Sequence, residues 1–241
     1  MKTKFSIIIP VYRSGEWIES LVERIINVMK SINDENSFEI ILVNDASPDD
    51  ITWEKILFLA EKYSWIKGID LFVNLGQFKA TLCGISHSKG EYIITMDDDF
   101  QQLPEDIPKL INAILSSKKV DCVFGDYEAF NPSKFREFGT KLKSPVFNIF
   151  YKKNKNIKTS SFRILKKELA NTLLNYKIAH PQPSPLITQI TDNITNIKVK
   201  HNPRIKYKSN YSILNLIKEI FYSLINASIL PLRLISFLGI L

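Results

Sequence analysis

The regular alternation in the first half of this chain limits its fold more than any other feature. Short, mostly apolar and β-branched runs at 5–11 (FSIIIPV), 38–44 (FEIILVN), 66–72 (IKGIDLF), 91–96 (EYIITM) and 121–126 (DCVFGD) read as strands. Between them, helical patterns cover roughly 16–31, 51–63, 77–88 and 104–116. Strands that are apolar almost throughout cannot leave a face to water. Strands separated by helices cannot pair as hairpins. The combination predicts an α/β fold with a mostly parallel central sheet flanked by helices on both faces. With 241 residues and 45% apolar content, the chain is long enough for one such domain with appendages.

Within that frame one stretch stands out: 93–106, IITMDDDFQQLPED. Three consecutive carboxylates follow an apolar run, and Pro104-Glu105-Asp106 looks like the first turn of the next helix. The acids therefore belong at the carboxyl end of a strand, where open α/β sheets bind ligands. Like charges repel, so such a cluster is either solvated or built around something positive. Two or three carboxylates plus an amide suit a hard divalent cation, and Asp97, Asp99 and Gln101 have the spacing. His87, His180, His201, Cys83 and Cys122 are the chain's only histidines and cysteines. A disulfide framework or a zinc-ligand set is not suggested, and a reducing cytoplasmic setting fits.

The net charge of +7 conceals a division. Residues 1–133 hold 13 Lys and Arg against 21 Asp and Glu, whereas residues 134–241 hold 19 against 4. The second half thus expects an anionic partner: nucleic acid, lipid headgroups or a phosphorylated substrate. Residues 134–167 alone contain eleven Lys and Arg and one acid, Glu137, interleaved with aromatics. The closely spaced prolines of 180–185 predict an extended loop, and 197–201 one further strand. From Tyr211 an apolar stripe at helical spacing leads into the nearly uniform run 229–241. No run reaches 18 apolar residues, so this tail reads as a membrane-surface element or as the start of a span.

Four motifs mark successive strands: 6–12 (SIIIPVY) opens the chain, 43–50 (VNDASPDD) ends the second strand, 74–80 (NLGQFKA) follows the third and the acid triplet follows the fourth. In this order and spacing they resemble glycosyltransferase family 2, inverting enzymes of the GT-A fold that use nucleotide-activated sugars. Residues 97–105 resemble the D-x-D-x-Q-x-x-P-E signature of dolichyl-phosphate mannose synthases and bacterial polyprenyl-phosphate glycosyltransferases. Ser160-Ser161-Phe162-Arg163 is similar to that group's S-G-F-R motif, with Ser161 where glycine is usual. Residues 201–211 resemble its H-x-x-R-x-x-G-K-S-x-Y segment, with Tyr207 in place of glycine.

The resemblance implies a GT-A catalytic domain over 1–210, with a nucleotide-sugar half at 1–126 and an acceptor half at 127–210. Residues 211–241 would form an amphipathic, membrane-associating tail. It further implies that Pro10, Tyr12, Asp45 and Lys79 line the nucleotide pocket, with the Asp45 carboxylate accepting a base N–H. Asp97 and Asp98 would lie beside ribose and diphosphate, while Asp99 and Gln101, aided by Asp97, hold Mg²⁺ or Mn²⁺. Arg163, Arg204 and Lys208 would meet phosphates of donor or acceptor, since guanidinium is a rigid bidentate phosphate ligand and Lys a mobile point charge. Arg13 and Val73 depart from the family pattern near the nucleotide, which leaves UDP and GDP both open, with UDP favoured.

The implied activity is transfer of a sugar from a nucleotide-diphosphate donor to a polyprenyl phosphate at the cytoplasmic membrane face. Between Arg163 and His201 the only acids are Glu168 and Asp192. A phosphate acceptor needs no strong base, because it is already anionic. The alternatives are transfer to a saccharide hydroxyl with Asp192 as base, and a non-catalytic sugar-nucleotide-binding protein. Nucleic acid is not expected as a partner, since no recognised binding motif accompanies the basic region. A homo-oligomer stays open.

Overall fold

A computed structural model describes residues 3–32, 37–127, 157–176 and 181–202. Its elements run β1 (Phe5–Val11), α1 (Ile18–Ile32), β2 (Phe38–Asn44), α2 (Asp50–Lys62), β3 (Ile66–Asp70), α3 (Gln77–Ser86) and β4 (Tyr92–Thr95). A 3₁₀ turn (Pro104–Asp106), α4 (Ile107–Leu115), β5 (Cys122–Tyr127) and β6 (Arg163–Lys166) come next. Then follow α5 (Lys167–Leu174), α6 (Pro183–Ile190) and β7 (Ile194–Val199).

The strands form one sheet in the order β3-β2-β1-β4-β6-β5-β7. β1 pairs in parallel with β2 and β4, β2 with β3, and β5 with β7. Among the described strands only β6 runs antiparallel, between β4 and β5. Both faces are covered, as the apolar strands require. Alternate residues of β1 divide the core: Ile7 and Ile9 pack with α1, α2 and α4 through Leu21, Ile25, Ile56 and Leu110. Ile8 faces the opposite layer, where α3, α5 and α6 contribute Ala80, Ile85, Leu173 and Ile187.

The prolines of 180–185 do not keep that whole stretch extended. Residues 181 and 182 precede a helix that starts at Pro183, with Pro185 two residues further in. The first N–H groups of a helix have no intrahelical acceptor, so proline costs little there. Two strand expectations also shift: β3 stops at Asp70, and the last strand lies at 194–199 rather than 197–201. Among the described residues no helix is long and apolar enough to cross a membrane. The expected tail at 211–241 and most of the basic 134–167 stretch lie outside the described residues.

Candidate active site

From β1 the chain steps one way along the sheet to β2 and β3, then returns to place β4 on the other side of β1. Beyond the carboxyl ends of β1 and β4 the connections therefore diverge and leave a crevice, the expected ligand position in such sheets. The acid triplet follows β4 directly into it.

Asp97 is held from several sides. Its Oδ1 accepts from Gln77 Nε2, at the first turn of α3. Its Oδ2 accepts from Ser161 Oγ at 2.7 Å and from Gln102 Nε2 at 2.8 Å. Burial pushes this carboxyl up to about 7, and the charges of Asp99 and Asp98 add to the shift, while the Ser161 hydroxyl and Arg163 oppose it.

Asp98 turns toward the β1–α1 loop. Its Oδ2 accepts from Tyr12 N at 3.0 Å and from the Ser14 hydroxyl, and its carbonyl accepts from Trp17 Nε1 at 2.6 Å. Burial pushes its carboxyl up to about 6, against those two hydrogen bonds. As placed here, Asp98 ties the triplet to the first loop.

Asp45, 3% exposed at the end of β2, accepts from Leu75 N at 2.7 Å and Gly76 N at 2.9 Å, one per carboxylate oxygen. Burial raises its pKa, and these two bonds oppose the rise. Asn74 Nδ2 also donates to the Asp45 carbonyl at 3.0 Å. The residue expected to read a base thus fastens the β3–α3 loop, and each oxygen keeps a lone pair for a ligand. Pro10 is buried at the end of β1, while Tyr12 is 43% exposed under the Arg13 guanidinium, so core packing does not explain Tyr12. Lys79 lies in the first turn of α3. Arg13, Ala46 and Phe100 adopt φ of 58°, 49° and 58°. All three residues lie in loops at this edge, where backbone strain characteristically collects.

Asp99 and Gln101 stand together, with Gln101 N donating to Asp99 Oδ1 at 3.1 Å. Among the described residues no three His, Cys, Asp or Glu side chains converge into a metal cage. A hard cation suits this oxygen-only donor set nonetheless, because Mg²⁺ commonly takes one or two carboxylates and completes its shell with water and substrate phosphate. Asp99, Gln101 and Asp97 fit that arrangement.

Arg163 opens β6 and is only 3% exposed. Its Nη1 donates to Ser184 Oγ at 2.6 Å and to the Ser160 carbonyl at 3.4 Å, while its buried Nε has no hydrogen-bond partner. Burial lowers its pKa, and the Asp97 charge opposes that. With Asp97, Gln77, Ser161 and Ser184 it lines a cavity of 250 Å³. The arginine is thus buried, and it shares that cavity with the Asp97 carboxylate. Arg204 and Lys208 lie outside the described residues, but the segment leading to them is anchored at the site. Gln102 bridges to His201, and Asn202 N donates to the Gln101 carbonyl at 3.1 Å.

Sequence reasoning did not find Ser14, Gln77, Gln102 or Ser184. Only Gln77 and Gln102 carried a signal, as amides inside matched motifs. Ser161, which departs from the motif's glycine, donates its hydroxyl to Asp97.

Residues 6–174 match the family described as Glycosyl transferase family 2. An undecaprenyl-phosphate 4-deoxy-4-formamido-L-arabinose transferase from Salmonella choleraesuis (strain SC-B67) is 30% identical over 240 residues, covering 98% of this chain and 71% of that protein. A protein of the same description from Pseudomonas savastanoi pv. phaseolicola is 28% identical, covering 97% and 68%. Glucosyl-3-phosphoglycerate synthase from Mycobacterium tuberculosis, crystallised with Mn²⁺, UDP and glucosyl-3-phosphoglycerate, superposes with a TM-score of 0.65 at 16% identity, over 94% of this chain and 79% of that one. A mannosyltransferase from Pyrobaculum calidifontis, solved with GDP-Man and Mn²⁺, gives 0.61 at 16% identity, over 87% and 59%. These two share the fold, which is GT-A. The family match spans most of the chain and is joined by 30% identity to a curated member along nearly its whole length, so the chain belongs to glycosyl transferase family 2.

Proposed function

We propose that this glycosyltransferase moves a sugar from a nucleotide-diphosphate donor, UDP-sugar before GDP-sugar, onto a polyprenyl phosphate at the cytoplasmic face of a membrane. The relatives' names, which specify undecaprenyl phosphate, support that acceptor. The carrying observation is the position of two acids. Asp192 precedes β7, whose first residue Ile194 pairs with Cys122 at the start of β5. Glu168 follows β6, whose last residue Lys166 pairs with Tyr92 at the start of β4. Both therefore lie at the amino edge of the parallel strands, opposite the triplet and, across a six-residue strand, about 20 Å away. The only acids between Arg163 and His201 cannot act as base at this site. A phosphate nucleophile needs none.

In the proposed reaction a phosphate oxygen of the acceptor attacks the anomeric carbon, the bond to the donor diphosphate breaks, and nucleoside diphosphate leaves with inversion. Mg²⁺ or Mn²⁺ at Asp99 and Gln101 would neutralise charge growing on the leaving group. Asp97 and Asp45 orient the donor, the latter through the loop it fastens. Basic residues of the second half, Arg204 and Lys208 among them, hold the anionic acceptor near the anionic donor against their repulsion. The two nucleotide-binding neighbours, each solved with Mn²⁺, support the metal.

The test incubates the full chain with a short polyprenyl phosphate and a panel of radiolabelled nucleotide sugars, and extracts the lipid. Label should enter the lipid phase with at least one donor. Asp99→Asn should reduce the rate at least about a hundredfold, as loss of a principal electrostatic stabiliser does. Asp192→Asn should remain close to wild type. An inactive Asp192→Asn, or transfer confined to saccharide acceptors, would sink the proposal.

A further inference from the structure

Gln102 occupies an unspecified position of the D-x-D-x-Q-x-x-P-E signature, yet it is among the most constrained side chains of the site. It is 2% exposed. Its Oε1 accepts from Asp97 N at 2.8 Å, and its Nε2 donates to Asp97 Oδ2 and to Ser161 Oγ, each at 2.8 Å. Ser161 Oγ in turn donates to the same Asp97 Oδ2 at 2.7 Å. The three side chains close a hydrogen-bonded ring, and the Tyr127 side chain hydrogen-bonds to it through Ser161 and Gln102. The ring also fixes the amide orientation, because a flipped Gln102 would set an NH₂ against the Asp97 N–H. Thr95 Oγ1 donates to the Ser161 carbonyl, so the end of β4 holds the serine in place.

We propose that Gln102, together with Ser161, is a positioning pair that sets the Asp97 carboxylate for the donor nucleotide. This rests on the reading that Asp97 meets the donor. Without the pair, Oδ2 loses both of its donors and only the Gln77 bond to Oδ1 still holds the carboxylate. A second consequence follows from the backbone: Gln102 bridges to His201, so the same residue that aims Asp97 also docks the segment leading to Arg204. Ser161, where the family usually has glycine, supplies a bond that a glycine could not, so this chain's version of the site depends on a hydroxyl.

The test measures UDP binding by calorimetry in the presence of Mn²⁺, on the full chain and without turnover. Four proteins make a cycle: wild type, Gln102→Ala, Asp97→Asn and the double variant. Contacting residues couple, whereas independent ones add. Gln102→Ala should weaken UDP binding about tenfold in the wild-type background and less than about twofold in the Asp97→Asn background. Ser161→Ala should behave the same way on a smaller scale, and Ser161→Thr, which keeps the hydroxyl, should restore binding. If Gln102→Ala does not fold, the Ser161 cycle decides alone. Equal losses in both backgrounds would mean a general structural role and overturn the proposal while leaving the donor reading intact. UDP binding unaffected by Asp97→Asn would remove Asp97 from the donor site and take the proposal with it.

Discussion

Asp97 illustrates how a single half-buried carboxyl links binding to stability. Burial pushes its pKa up to about 7 and that of Asp98 up to about 6, from 3.8 for the ordinary group. Between 3.8 and about 7 the folded metal-free protein holds protons that the unfolded chain has already released. Stability must therefore fall as pH rises through that window. Metal-free Asp97→Asn should be more stable than wild type at about pH 8, by on the order of 2 kcal/mol, and the gap should close toward about pH 5. The exposed Gln77 can turn its amide to suit the new NH₂, so the variant keeps its hydrogen bonds. Thermal unfolding across this range in chelator checks it, and a pH-independent difference would refute it. Such residues were legible in sequence because they are contiguous: Asp97, Asp99 and Gln101 announce themselves by spacing. Ser161 and Gln102 are 59 residues apart, and only the pairing of β4 with β6 brings them together.

At the scale of elements, α3 carries Gln77 to the site, and its seat on the sheet is set by Gly84. A Cβ there would collide with Ile8 Cγ2 and stand 3.1 Å from Val43 Cγ2. Both neighbours are β-branched, stiff at χ1, and belong to the central strands β1 and β2. Alanine gains about 1 kcal/mol of helix propensity, whereas overpacking such a site costs about 1–3 kcal/mol. The clash should win. Gly84→Ala is expected to lower the denaturant midpoint and, by lifting the helix, to weaken UDP binding. An unchanged midpoint would mean that α3 is seated more loosely than it stands here. The first half was readable because its helices carry a 3.6-residue period and its strands are short, nearly continuous apolar runs. β6 was not read as a strand, since its four residues carry no pattern of their own and pair only with β4 and β5. Helix α6 was hidden by prolines that are harmful inside a helix but tolerable in its first turn.

The whole molecule divides its charge, with acids concentrated in residues 1–133 and an excess of Lys and Arg in 134–241. An enzyme that takes an anionic nucleotide sugar from solution and an anionic lipid from a bilayer gains from such a division. The acidic half can carry the metal, and the basic half can face the headgroups. On the proposed reading, the apolar stripe from Tyr211 and the run at 229–241 would supply insertion, and each Lys or Arg close to the bilayer would add about 1 kcal/mol of attraction to anionic lipid. The described sheet is complete by Val199, so removing residues 211–241 takes away none of its strands. The 241-residue chain should float with vesicles containing anionic lipid, and added salt should weaken the flotation by screening the headgroup term alone. The 211–241 deletion should stay in the aqueous fraction while still binding UDP. Equal flotation of the deletion would move the membrane contact to the remaining basic surface, and flotation insensitive to salt would leave insertion as the dominant force.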